Sequence, residues 1–148
     1  MLTQSEIDRV MSAPKRVTAT VRWRTRGGRT PTDETSFSVL VPSADDPEQA
    51  ILGRVEGTSN RFETRVSFIH ANVCLARWES QGTHRNPNGE AILGPHKHQW
   101  TEDDEDRCAY VPDDIDESTR DTILVTFLEE CGIDLEGEYE PQLPGIGQ

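Results

Sequence analysis

The apolar positions of this chain run first at helical spacing, then alternate for most of its length, and return to helical spacing near the end. Thr3-Gln-Ser-Glu6 reads as a capping box, with Leu2 and Ile7 at the staple positions around it. Ile7, Val10 and Met11 give a short apolar stripe that Pro14 ends, which predicts an N-terminal helix of about three turns. From Lys15 to Arg26 the period changes to two. Val17, Ala19, Val21 and Trp23 point one way and Arg16, Thr18, Thr20, Arg22 and Arg24 the other, as in a half-buried strand. Gly27-Gly28 breaks the pattern, and residues 30–34 read as loop. Further strands are expected over Thr35–Val41, Ala50–Val55, Arg61–His70 and Asn72–Glu79. A short one then places His96, His98 and Trp100 on one face with Lys97 and Gln99 on the other. A last strand is expected over Arg107–Val111. Asp114-Ile-Asp-Glu117 can cap a final helix whose buried stripe is Ile123, Leu124, Phe127, Leu128 and Cys131. Gly132 supplies its stop, and Ile133 is placed to fold back on Leu128.

This order predicts a single α+β domain over residues 1–133: a curved antiparallel sheet or partly open barrel of five to seven strands, with an N-terminal and a C-terminal helix. Residues 134–148, polar and carrying Pro141 and Pro144, are expected to be a flexible C-terminal tail. At 148 residues the chain suits one domain able to bury about two-thirds of its unfolded surface. With 33% hydrophobic and 6% aromatic residues, its core is lean. No run approaches the roughly 18 apolar residues of a membrane span. The first residues lack the basic-then-apolar order of a signal peptide, so a cytoplasmic location is expected. Cys74, Cys108 and Cys131 are odd in number and form no C-x-x-C pair, which argues for free thiols rather than a disulfide framework or a structural zinc site.

Charge changes the list of partners. The formal net charge is −12, from 27 acidic and 15 basic residues, and thirteen of the basic residues are arginine. An acidic surface repels a phosphate backbone, so RNA stays open as a partner but is disfavoured by the charge, and a protein partner is open beside it. Acidic excess with scarce lysine is also the composition of a salt-adapted or GC-rich proteome, and it needs no functional acidic face. Oligomeric state is not set by any of these features.

The candidate chemistry is concentrated in residues 83–100, which hold three of the four histidines, Lys97, Trp100 and the turn formers Asn86-Pro87-Asn88-Gly89 and Gly94-Pro95. Three readings stay open. In the first, the H-x-H pair His96 and His98 shares a metal ion, with His84 or Glu90 as third ligand. In the second, which needs neither metal nor cofactor, His84, His96 and His98 act as general acid and base near neutral pH and Tyr110 donates a proton. Arg85 and Lys97 then hold a phosphate, Asn88 contacts the substrate and Trp100 or Trp78 stacks a base, an inventory suited to RNA cleavage beside a 2′-hydroxyl. In the third, the histidines satisfy backbone groups, and the stretch is an ordered loop that is structural or grips another protein. His70, alone at a strand end, reads as structural. P-loop, dinucleotide-binding, nucleophile-elbow and H-E-x-x-H motifs are absent.

The run His84-Arg-Asn-Pro-Asn-Gly-Glu90, then Gly94-Pro-His-Lys-His98, Ala109-Tyr-Val-Pro112 and the closing Phe127-Leu-Glu-Glu-Cys-Gly-Ile133 resembles a family of small prokaryotic and phage-borne proteins with an H-x-N-P-[DN]-G-E…P-H-x-H signature. The resemblance covers roughly the last two-thirds of the chain. The Thr- and Arg-rich first third departs from the family pattern, and the acidic run Glu102–Asp106 stands where the family has a glycine-rich turn. The signature carries no established chemistry. Its setting on mobile elements implies a toxin, antitoxin, defence or counter-defence role. Together with the histidines it gives the leading expectation of a small intracellular toxin- or defence-type protein with a metal-independent, RNA-cleaving histidine cluster. The alternative is a non-enzymatic module (antitoxin, inhibitor or counter-defence protein) that docks through residues 83–100 or its acidic surface.

Overall fold

The computed structural model describes residues 2–25, 34–46, 48, 50–60, 62–111 and 120–140. In chain order these form α1 (Gln4–Ser12), β1 (Lys15–Val17), β2 (Val21–Arg22), β3 (Arg24–Thr25), β4 (Thr35–Pro42), β5 (Ile51–Ser59), β6 (Thr64–His70) and β7 (Val73–Glu79). They continue with β8 (Thr83–Arg85), β9 (Ala91–Leu93), β10 (His96–Gln99), β11 (Ala109–Tyr110), α2 (Arg120–Glu130), β12 (Ile133–Leu135) and β13 (Tyr139–Glu140). Seven strands make one antiparallel sheet in the order β11-β10-β7-β6-β5-β4-β3. The sheet does not close on itself, since β11 and β3 are its edges. The expected α+β class, strand number and terminal helices are therefore all present.

Alternation along the central strands gives the sheet a dry face and a polar one. Phe37, Val39 and Val41 of β4, Val55 of β5, Val66 and Phe68 of β6, and Leu75 and Trp78 of β7 cluster with Ile7 and Val10 of α1 and the α2 stripe Ile123, Leu124, Phe127 and Leu128. The α1 capping box forms as expected, with Thr3 Oγ1 accepting from the Glu6 amide and the Thr3 amide donating to Glu6 Oε2. At the other end of α1 the fully buried Lys15 donates from Nζ to the carbonyls of Val10, Met11 and Ala13 at 2.7, 3.0 and 2.8 Å. A cation capping the negative end of a helix uses all three ammonium protons there. Burial, which disfavours the charged form, lowers the pKa of this ammonium. Gly132 ends α2 at φ 68°, in the left-handed region, as the sequence predicts.

Several boundaries depart from expectation. The alternating run 15–26 is three short strands, because each piece finds a different partner: β1 pairs in parallel with β12, β2 in parallel with β13, and β3 antiparallel with β4. Ala19, at the break between the first two, is exposed rather than inward. The strand begun near Ala50 runs on to Ser59, with Gly53 and Gly57 inside it where the core side chains Phe68, Phe37 and Trp23 come close. The strand expected over Arg107–Val111 is only Ala109–Tyr110. Polarity assigns residues 134–148 to a tail, yet β12 and β13 pair with the first strands. Trp23 Nε1 donates to the Tyr139 hydroxyl at 2.8 Å, and Arg22 is paired with Glu140. The loop expected at 30–34 (for residues 30–33), the helix cap at 114–117 and the segment 141–148 lie outside the described residues.

Candidate functional site

The polar face of the sheet carries the histidine cluster. In the β7–β10 register Glu79 stands opposite His96 and Arg77 opposite His98, while Trp78 stands opposite Lys97 on the dry face. Beyond β10, the hairpin of β8 and β9 pairs His84 with Ile92, the side of the hairpin that is half-buried or buried, and turns Thr83, Arg85, Ala91 and Leu93 outward. The three imidazoles meet. Their ring centroids are 4.6 Å apart for His84 and His98, 5.0 Å for His96 and His98, and 5.8 Å for His84 and His96. Two of the three are buried, His96 at 2% exposure and His98 at 3%, while His84 is half-buried at the rim.

Each ring is oriented through a main-chain oxygen. His96 Nδ1 lies 2.8 Å from Gly94 O, His98 Nδ1 2.8 Å from Asp106 O, and His84 Nε2 2.7 Å from Arg107 O. A carbonyl only accepts, so each of these ring nitrogens carries the proton and donates. The second nitrogens of His96 and His98 then face inward. His96 Nε2 is 2.5 Å from Glu79 Oε2, and His98 Nε2 is 3.5 Å from the same oxygen. His98 Nε2 is buried and has no hydrogen-bond partner. Glu79 Oε2, His96 Nε2 and His98 Nε2 all lie within 4.8 Å of one another.

The other Glu79 oxygen, Oε1, is 2.8 Å from Arg65 Nη2 and 3.6 Å from Arg77 Nε. Burial by itself raises the Glu79 pKa. It is outweighed by the facing His98 nitrogen, by the Arg65 and Arg77 guanidinium groups and by His96, which together hold it down at about 2. The share of that lowering due to the two histidines belongs to rings protonated at Nε2 as well as Nδ1; with Nε2 bare, lone pair would face carboxylate, and at 3.5 Å His98 makes no hydrogen bond to it. Glu79 is thus an anion with one oxygen tied to arginine and the other given to the histidine pair.

The remaining predicted site residues are elsewhere. Tyr110 stands opposite Lys97 in the β10–β11 register, on the face away from the imidazoles. The buried Lys97 is ion-paired with Glu130 of α2, with its ammonium 5.3 Å from the Trp78 ring centroid. Trp100, placed beside the histidines by strict alternation, is in the hydrophobic core, because β10 ends at Gln99. Arg85 Nη1 donates to Gly89 O and Asn88 Oδ1 accepts from the Glu90 amide, so both serve the hairpin turn, and Glu90 is exposed there. His70 bonds through Nδ1 to Leu52 O, the structural role expected of it. The acidic run 102–106 is partly structural as well, because the Asp106 carbonyl receives His98 and its carboxylate faces Arg77. A groove of about 540 Å³ passes Arg22, Arg24, Ser38 and Glu56, away from the histidines, and its Arg22 is already paired with Glu140. Glu79 is the residue the sequence reading missed. A carboxylate at a strand end carries no local signal, and only the β7–β10 register brings it to His96.

These features define a small α+β domain with a buried histidine–glutamate cluster under a β-hairpin. A family model matches residues 2–133, and the chain belongs to that family, DUF6978, a family of unknown function. No curated protein and no solved structure matches the chain.

Proposed function

We propose that this domain is a non-enzymatic protein-binding module, of the antitoxin, inhibitor or counter-defence kind, that docks through the outward side of the hairpin at 83–93. The observation that carries this reading is the burial of His96 and His98. With His96 and His98 at 2% and 3% exposure and their Nδ1 atoms on main-chain carbonyls, little of either ring is open to a substrate. The outward side of the hairpin offers the opposite: Leu93 is 76% exposed at its base, beside the Gly94–Gly82 backbone bond, and the Asn86–Glu90 and Gly89–Asn86 bonds hold the turn at its tip. A rigid loop with an exposed apolar residue loses little entropy on docking. The charge of −12 favours a protein over a nucleic acid. Among the described residues no helix is long and apolar enough to cross a membrane. Three free thiols suit a reducing, cytoplasmic setting.

A second reading, the RNA-cleaving enzyme of the toxin type, is favoured by the convergence of three imidazoles and by the unpartnered His98 Nε2. It requires the hairpin to lift. Expression in a bacterial host, with parallel assay of purified protein on structured RNA, separates the two. The binding module predicts normal growth and intact RNA. Growth arrest with RNA cleavage, abolished in a folded His98→Gln variant, replaces it with the enzyme. Site-specific photocrosslinking at position 93 in the native host should trap one discrete protein partner that a folded Arg85→Glu variant no longer captures.

A further inference from the structure

We infer that Glu79, His96 and His98 form a binding site for a single divalent transition-metal ion of the zinc class, held by Glu79 Oε2 and the Nε2 atoms of the two histidines. The argument starts from the count of lone pairs. Main-chain carbonyls take the Nδ1 protons of His96 and His98, which leaves each Nε2 of a neutral ring as a bare acceptor. The third atom of the group is a carboxylate oxygen. Three electron-pair donors within 4.8 Å of one another, in a buried place, repel unless a cation lies among them. One proton shared by His96 and Glu79 answers that contact alone and leaves His98 Nε2 buried without a partner. A metal ion satisfies all three.

The surroundings are those of a ligand set. Two imidazoles and a carboxylate suit zinc and its first-row neighbours. Both histidines have the outer hydrogen bond, Nδ1–H to a carbonyl, that fixes ring orientation and tautomer in metal sites, and Arg65 holds the non-ligating oxygen of the carboxylate. A tetrahedral ion about 2.0–2.1 Å from each donor spaces the donors by roughly 3.4 Å. The Glu79–His98 distance of 3.5 Å already fits, and the Glu79–His96 contact of 2.5 Å opens by about an ångström on loading. The ligands come from β7 and β10, so the ion ties the two strands on either side of the chain that forms the hairpin. The His84 ring lies beside the site, its centroid 4.6 Å from that of His98 and 5.8 Å from that of His96. Three protein donors leave the fourth position of a tetrahedral ion to water or another small donor, and the burial of His96 and His98 limits what can reach it.

The test uses untagged full-length protein, stripped with a chelator and titrated with Zn(II) by calorimetry and with Co(II) by visible absorption. One ion per chain is expected, with a tetrahedral Co(II) spectrum and a rise in melting temperature with Zn(II) concentration. Glu79→Gln and His98→Gln should each weaken binding by about a hundredfold or more, while His70→Gln leaves it unchanged. Because a variant at a buried site can fail to fold, the wild type is also followed by ¹⁵N NMR of its imidazoles. Zn(II) should shift Nε2 of His96 and His98 and leave His70 in place. Absence of one-to-one binding in the micromolar range or tighter, or binding that perturbs other histidines instead, overturns the site and leaves a proton as the only cation in the cluster.

Discussion

Cys131 shows how much a single position is set by its surroundings. It lies at the end of the α2 stripe, almost fully buried, and burial pushes its thiol up from an ordinary value near 9 to about 12, against the pull of the Lys15 ammonium. The sign of the consequence follows from linkage. With the folded pKa raised, the neutral thiol's contribution is complete below pH 9 and is lost as pH rises from 9 towards 12, because the unfolded chain releases its proton first. Urea melts of the wild type and Cys131→Ala should therefore converge or cross as pH rises through that window. A constant difference between them across pH 8–11 would contradict the assignment. In native protein Cys131 should also be the slowest of the three thiols towards iodoacetamide, read by mass spectrometry of the labelled peptides.

Among the elements, the hairpin of β8 and β9 depends on an asparagine in its turn. Asn86 Oδ1 accepts from the Ala109 amide at 2.7 Å and its Nδ2 donates to the Ala109 carbonyl at 2.8 Å, so one side chain stands in for a neighbouring strand along the edge of β11. Asn86→Ala should cost about 1–2 kcal/mol in chemical denaturation and should selectively speed amide exchange at Ala109, with β5 and β6 unaffected. The same contact shows what the sequence could and could not reveal. The Asn-Pro-Asn-Gly turn, the α1 capping box and the α2 stripe with its Gly132 stop are local chemistry, and they are legible from residues a few places apart. The gathering of His84, His96 and His98 in one stretch was legible, but the convergence of their rings was not, because it depends on the β8–β9 hairpin folding back beside β10. Glu79, the arginines behind it and the fate of Trp100 depend on which strand lies next to β10 and in what register. That is settled by packing between distant segments, and no local pattern encodes it.

For the molecule as a whole, residues 134–140 pack into the folded unit rather than trailing from it. Glu136 and Gly137 both donate their amides to Val17 O at 2.9 Å, and a β-carbon on Gly137 would sit 2.3 Å from Ala19 O and 2.6 Å from Thr18 O. Gly137→Val must open this crossing. It should cost about 1–3 kcal/mol and remove exchange protection at Val21, whose amide donates to Glu138 O. Proteolysis at the C-terminal segment should rise with it, whereas wild-type-like stability would mean that the crossing is not tight.

The pairings of Lys15 with Ile133 and of Val21 with Tyr139 carry a consequence for biosynthesis. A ribosome releases the partners of β1 and β2 more than a hundred residues after those strands. The edges of β1 and β2 therefore stay uncovered until residues 133–140 have emerged. A messenger cut short before codon 133 would yield a product without the strands that cover those edges, the kind of fragment that chaperones and proteases collect.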